Sequence, residues 1–127
     1  MEERLVRVFA SVPSRDTEVQ GVLGMVVRKD DATDTHLGFM PALKLYSQGR
    51  TPQEAERLME KAAALYLETA VREGQLSDIL LARGFRRIIP GSGGEKPVDI
   101  LSIRSISGLP KSAGAASEME LEFAGAN

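Results

Sequence analysis

The chain has 127 residues, 43% of them apolar and 27% charged, with a formal charge of −2 at pH 7. One domain fits this length, and at this size folding buries roughly two-thirds of the unfolded chain's surface, so one core suffices. Because Cys is absent, disulfides, thiolate nucleophiles and Cys-based metal sites are excluded.

Trp is also absent and aromatics make up 5% of the chain, so the core must be aliphatic. A pI near 5.5 gives no global attraction to nucleic acid, and such a contact would need a local basic patch. No segment approaches the run of about 18 apolar residues that spans a bilayer. No apolar signal core follows Met1-Glu2-Glu3-Arg4. A cytoplasmic protein without a membrane partner is expected.

Residues 4–12 alternate, with Val6, Val8, Ala10 and Val12 on one side and Arg7 and Ser11 on the other. This period of two with β-branched residues predicts a half-buried strand. Pro13, Ser14 and Asp16 then mark a turn. A second strand is predicted over 19–28, with Val19, Leu23, Met25 and Val27 in phase, and the polar run 29–35 reads as a hairpin loop. A third strand over 36–40 is broken by Pro41 before a short fourth over 43–46, and Ser47-Gln48-Gly49-Arg50 reads as the next turn.

Thr51-Pro52-Gln53-Glu54 is a capping box with proline at the first helical position. Ala55, Leu58, Met59, Ala62, Leu65, Tyr66, Thr69 and Ala70 recur at three- and four-residue spacing. They predict a helix from 52 to 73 ended by Gly74, with Leu58, Met59, Ala62 and Leu65 against a sheet. Glu56, Arg57, Glu60, Lys61, Glu68 and Arg72 read as its solvated face.

A short second helix is expected over 79–83, then a strand over 86–89, a Gly- and Pro-rich connector over 90–97 and a strand over 98–106. Met119-Glu120-Leu121-Glu122-Phe123 alternates, as an edge strand or an acidic tail would. The expected architecture is α+β, an antiparallel sheet packed on one long helix. Residues 1–109 form its domain and 110–127 a flexible tail.

The string Gly38-Phe39-Met40-Pro41-Ala42-Leu43-Lys44-Leu45-Tyr46-Ser47-Gln48-Gly49-Arg50-Thr51-Pro52-Gln53-Glu54-Ala55 resembles the signature of the HicB family of toxin-antitoxin antitoxins. The shared pattern is a strand ending in proline, a short strand, a small-polar-Gly turn and Thr-x-x-Glu-Ala opening a long helix. The likeness covers residues 20–89. It implies a truncated ribonuclease-H-like fold and a role without catalysis, binding a small HicA-type ribonuclease toxin and blocking its RNA-cleaving surface. Phe39, Pro41, Tyr46 and Gly49 are then the candidate partner-binding residues. Full-length HicB proteins commonly end in a DNA-binding segment, yet residues 90–127 show no helical periodicity and no recognition helix.

Read as chemistry, the chain offers little. His36, the single histidine, sits at a strand start and reads as a hairpin residue. Asp30, Asp31 and Asp34 cluster but lack EF-hand spacing and its closing Glu, which makes a solvated turn the better reading. Glu54 and Glu60 do not supply the converging carboxylates that a two-metal nuclease needs. In Gly91-Ser92-Gly93-Gly94-Glu95-Lys96 a Glu interrupts the phosphate-loop pattern. No catalytic, cofactor-binding or metal-ligating residue is assigned, and no cofactor is expected.

Arg83, Arg86 and Arg87 around Phe85 form the one local basic cluster with an aromatic. Guanidinium groups suit phosphates and a ring can stack on a base. These four residues carry the alternative, a solitary HicB-like nucleic-acid-binding accessory protein. The amphipathic strands at 4–12, 98–106 and 119–123 lie outside the family-like part and need a sheet to join. They are expected to extend it or to exchange between subunits, giving a dimer or higher homo-oligomer.

Overall fold

A computed structural model of the chain describes residues 1–88, 99–106 and 118–123. Alternating strands and one long amphipathic helix produce an α+β fold. Its strands are β1 (Glu2–Val12), β2 (Thr17–Asp30), β3 (Thr35–Met40), β4 (Leu45–Gly49), β5 (Phe85–Arg87), β6 (Ile100–Ser105) and β7 (Glu118–Phe123). The helices are α1 (Pro52–Arg72) and α2 (Leu76–Ala82). All seven strands join one sheet, and every pairing is antiparallel.

β2 is the trunk of this sheet. Along one edge it pairs with β1 from Glu2↔Val27 to Val12↔Thr17 without a bulge. A single 3-10 turn over Pro13–Arg15 and a left-handed Asp16 (φ 52°) reverse the chain between them. Along its other edge β2 holds two strands end to end, β6 against Thr17 to Val22 and β3 against Val26 to Asp30. The sheet therefore forks, with β3–β4 as one branch and β6–β7–β5 as the other. β1 has no strand on its far side among the described residues.

The inner face follows from strand phase. Val6, Val8, Ala10 and Val12 of β1 and Val19, Leu23, Met25 and Val27 of β2 are all buried, as their spacing implies. Both helices pack on this face, α1 chiefly across β1 and β4 and α2 near β5.

α1 starts where expected. Thr51 accepts the N–H of Glu54 at 3.0 Å through its hydroxyl. The return arm of the box is displaced by one residue, since the Glu54 carboxylate accepts from the Arg50 N–H at 2.7 Å rather than from Thr51. The buried stripe is also rotated from the expected one. Ala55, Met59, Ala63, Leu67 and Ala70 face the sheet, Ala62 is half-buried, and Leu58 and Leu65 are exposed. Alanines at 55, 63 and 70 let the helix axis come near the strands, Met59 and Leu67 fill the space between them, and Leu58 and Leu65 fall on the flanks. Glu56 is likewise not on a solvated face. Its carboxylate accepts from Arg4 of β1 at 2.7 Å, and Arg4 also pairs with Glu2 at 2.8 Å.

The expected turn at 47–50 is mostly strand, because Ser47, Gln48 and Gly49 continue β4 against β3. β7 is not an edge strand. It lies between β6 and β5, with Leu121 opposite both Leu101 and Arg87. Its apolar side is covered within the chain, since Leu121 is buried and Met119 and Phe123 pack against the core. The reason for expecting subunit exchange through that segment therefore falls away. The connector at 90–97 and the rest of the tail lie outside the described residues, and so does the end of the expected strand at 89.

Candidate functional site

The strand residues that alternate with the core point away from both helices. On β1 these include Leu5 and Phe9, 62% and 52% exposed, on either side of Arg7. Register places Leu5 opposite Gly24, Arg7 opposite Val22 and Glu3 opposite Val26 on β2. One strand further, Val26 pairs with Phe39, and Phe39 with Tyr46. The result is a cross-strand row Glu3–Val26–Phe39–Tyr46 bordered by Leu5, on a face over which the described residues lay no second layer.

The row ends in an aromatic pair. A four-residue turn after Met40, closed by Lys44 in the left-handed region (φ 55°), aligns Met40 with Leu45 and hence Phe39 with Tyr46. Their rings stack with centroids 4.7 Å apart and an interplanar angle of 30°. Tyr46 is 74% exposed. Beside the stack a cleft of about 270 Å³ is lined by Val26, Arg28 and Leu37.

Electrostatics divide the outer face into two halves. Toward β6, β7 and β5 four charges neutralise each other in pairs, Arg104 bonded to Glu18 and Arg86 to Glu122 at 2.6 Å, with Glu120 exposed beside them. Toward β1–β4 the surface is apolar and aromatic, and Glu3, Arg7 and Arg28 carry no ion pair among the described residues. Uncompensated charges around an apolar patch are what the rim of an interface looks like.

Of the four partner-binding candidates, the structure brings two together on this face, Phe39 and Tyr46. Pro41 is exposed in the turn that joins their strands. Gly49 is buried on the opposite side, against the start of α1, where an added Cβ would lie 2.7 Å from the Ala55 nitrogen. Its role is to let β4 and α1 meet, so it presents nothing to a partner.

The basic cluster is not assembled as a nucleic-acid surface. Phe85 is buried against Phe123, ring centroids 5.6 Å apart, and has no face open to a base. Arg83 donates to the Tyr66 hydroxyl at 3.1 Å and sits 5.9 Å from its ring centroid. Arg86 is held by Glu122. Arg87 follows it on the strand and points to the other side of the sheet.

The Asp30–Asp34 loop closes on itself, with Thr33 donating to Asp30 at 2.6 Å and Lys29 3.5 Å from Asp34. The ring of His36 lies 3.3 Å from the Arg50 carbonyl. Among the described residues no three His, Asp or Glu side chains gather as a metal site would require. Among the described residues no helix is long and apolar enough to cross a membrane.

Leu5, Phe9, Val22 and Val26 went unnoticed in the sequence, although they fall in the alternate phase of strands whose other phase was read correctly. Their apolar character at outward positions was the available signal. Compared with known proteins, the chain matches no family model, no curated protein and no solved structure.

Proposed function

We propose that the chain is a binding module without catalysis, an antitoxin-like protein whose apolar sheet half covers the RNA-cleaving surface of a small HicA-type toxin. The observation that carries this reading is the Phe39–Tyr46 stack on an uncovered face. Rigid aromatic side chains lose little conformational freedom on binding and dominate interface energetics. Contiguous exposed apolar surface with a polar rim marks a docking site in a soluble protein. The groups gathered here are ones that bury well, while Arg28 at the border supplies orientation.

Two further features support the family reading. The segment resembling the HicB signature, residues 38–55, is the hairpin that carries the stack together with the helix cap that fixes it. The succession β2, β3, β4, α1, β5 follows the three-strand, helix, strand order of a truncated ribonuclease-H-like core, with β1, β6 and β7 as additions.

The test uses a purified HicA-type toxin. Messenger RNA cleavage by that toxin should stop at a stoichiometric amount of the protein. The Phe39→Ala/Tyr46→Ala double variant, with unchanged circular dichroism, should fail to stop it. Cleavage that continues undiminished in excess wild-type protein overturns the proposal.

A further inference from the structure

Among the described residues β1 presents an open edge. Its pairing with β2 is unbroken over all eleven residues, and it contains neither proline nor lysine nor a bulge. Those are among the devices by which natural sheets protect an edge from pairing with another strand, and the inward-phase charge that β1 does carry, Arg4, is neutralised by Glu2 and Glu56.

The polar groups of that edge can be assigned by parity. The N–H of Gly24 points away from β1, toward Asp99. In an antiparallel ladder a residue's N–H and C=O point to the same side, and the side alternates along the strand. Gly24 lies opposite Leu5, so Leu5 turns its own N–H and C=O outward, as do Glu3, Arg7, Phe9 and Ser11. These are also the residues whose side chains line the outer face.

We infer that β1 pairs antiparallel with β1 of a second copy of this chain, about a two-fold axis at Leu5. The register is set by charge. An axis at Leu5 puts Glu3 opposite Arg7 of the second copy, twice, with Leu5 facing its own counterpart. An axis at Arg7, which would overlap more of the strand, puts two arginines directly opposite each other. An axis at Val6 leaves Glu3 against Phe9 and Arg7 against Leu5. Opposite charges across a strand pair stabilise it and like charges oppose it. Neither Glu3 nor Arg7 has an ion-pair partner within its own chain among the described residues, so both are free to make that contact. Pairing joins two sheets into one and brings the two apolar halves together at the Leu5 contact.

The native absence of cysteine provides a clean test. Directly opposed, hydrogen-bonded strand residues have Cα atoms about 5.5 Å apart, within disulfide range. Full-length Leu5→Cys should form a disulfide-linked dimer under mild oxidation, and Arg7→Cys should not. By light scattering the wild type should be a dimer at high micromolar concentration. Glu3→Arg should weaken it at least tenfold, and Glu3→Arg/Arg7→Glu should restore it. All three positions tested are on the outer face, and circular dichroism checks that each variant folds. A wild-type monomer at that concentration, cross-linking through position 7 instead of 5, or failure of the double variant to recover would each overturn the inference.

Discussion

Asp99 accepts the backbone N–H of Gly24 at 2.5 Å, at the fork where β3 and β6 part on the same edge of β2. The last β6 pairing is Val22↔Ile100 and the first β3 pairing is Val26↔Phe39, so Gly24 falls between two neighbours and its N–H has no strand to bond. A side-chain oxygen from the residue just before β6 takes the place of the missing carbonyl. Burial pushes the Asp99 carboxyl above its usual range, and the Gly24 N–H partly offsets this by favouring the charged form.

That shift has a sign that can be measured. A carboxyl whose folded pKa is raised holds its proton more tightly in the folded protein. Its contribution to stability is therefore full below the unfolded pKa and is lost as pH rises through the folded value. Asp99→Asn keeps an acceptor for Gly24 and removes the buried charge. Its stability relative to wild type should accordingly be greater at pH 7 than at pH 4 in urea titrations. Asp99→Ala leaves the N–H unpaired and should cost about 1–2 kcal/mol. A pH-independent difference between Asn and Asp would show that burial of the carboxyl is not felt.

The Thr51 cap is expected to behave as an isolated unit. Its hydroxyl satisfies one of the orphan N–H groups at the start of α1. Thr51→Ala should cost about 1 kcal/mol, and Thr51→Ser much less. Equal losses in thermal denaturation for the two variants would place the effect in the methyl group instead of the hydrogen bond.

The rotated face of α1 separates two substitutions that the sequence alone ranks together. Met59 has no exposed surface and Leu65 is 62% exposed. Met59→Ala should cost about 2–5 kcal/mol through the cavity it leaves, and Leu65→Ala about 0.5 kcal/mol or less. Matching midpoint shifts in urea would restore the stripe read from residue size.

What the sequence displays well here is local periodicity. β1, β2, β3, β6 and α1 were legible, because a period of two or of 3.6 is written in neighbouring residues. By contrast, α2 begins three residues before the expected 79, β4 is shifted toward Gly49, and 119–123 was open between a strand and an acidic tail. The helix stripe was misjudged because α1 is apolar on two adjoining sides, and hydropathy does not tell a small residue at close approach from a large one beside it. The forked topology was hidden because β6 and β7 reach β2 and β5 only through pairings distant in the chain. For the candidate site, Phe39 and Tyr46 were singled out by resemblance, but their stacking follows from turn length. Pairing Met40 with Leu45 across a four-residue turn makes 39 meet 46. Leu5 and Phe9 were missed because a half-buried strand was expected to be polar on its outer side.

Gly49 offers a way to tell a packing residue from a binding residue. An added Cβ would approach the Ala55 nitrogen at 2.7 Å and the Glu54 Cβ at 2.9 Å, and the first of these is backbone that cannot swing aside. Gly49→Ala should destabilise the fold by about 1–3 kcal/mol, in the range of overpacked cores. Toxin inhibition per folded molecule should be unchanged. A variant of normal stability that no longer inhibits would return Gly49 to the binding surface.

β7 provides the sharpest test of the fold, because it joins the far end of the sequence to the middle of the sheet. Leu121 is 5% exposed, and neighbouring Phe123 packs its ring on Phe85. Glu120 alternates with them on the outer face and is exposed. If residues 118–123 are an integral strand, Leu121→Ala leaves a void beside Leu101 and should cost about 2–5 kcal/mol, while Glu120→Ala should change stability by about 0.5 kcal/mol or less. A loose tail would make the two substitutions equivalent and nearly silent. Urea midpoints at constant m-value distinguish these outcomes, since a change in midpoint alone reports stability and not a change in the surface exposed on unfolding. Amide exchange adds an independent reading. The Ile88 N–H, which donates to the Glu120 carbonyl at 3.0 Å, should be protected in the wild type. It should exchange faster in Leu121→Ala, because opening β7 releases β5 as well.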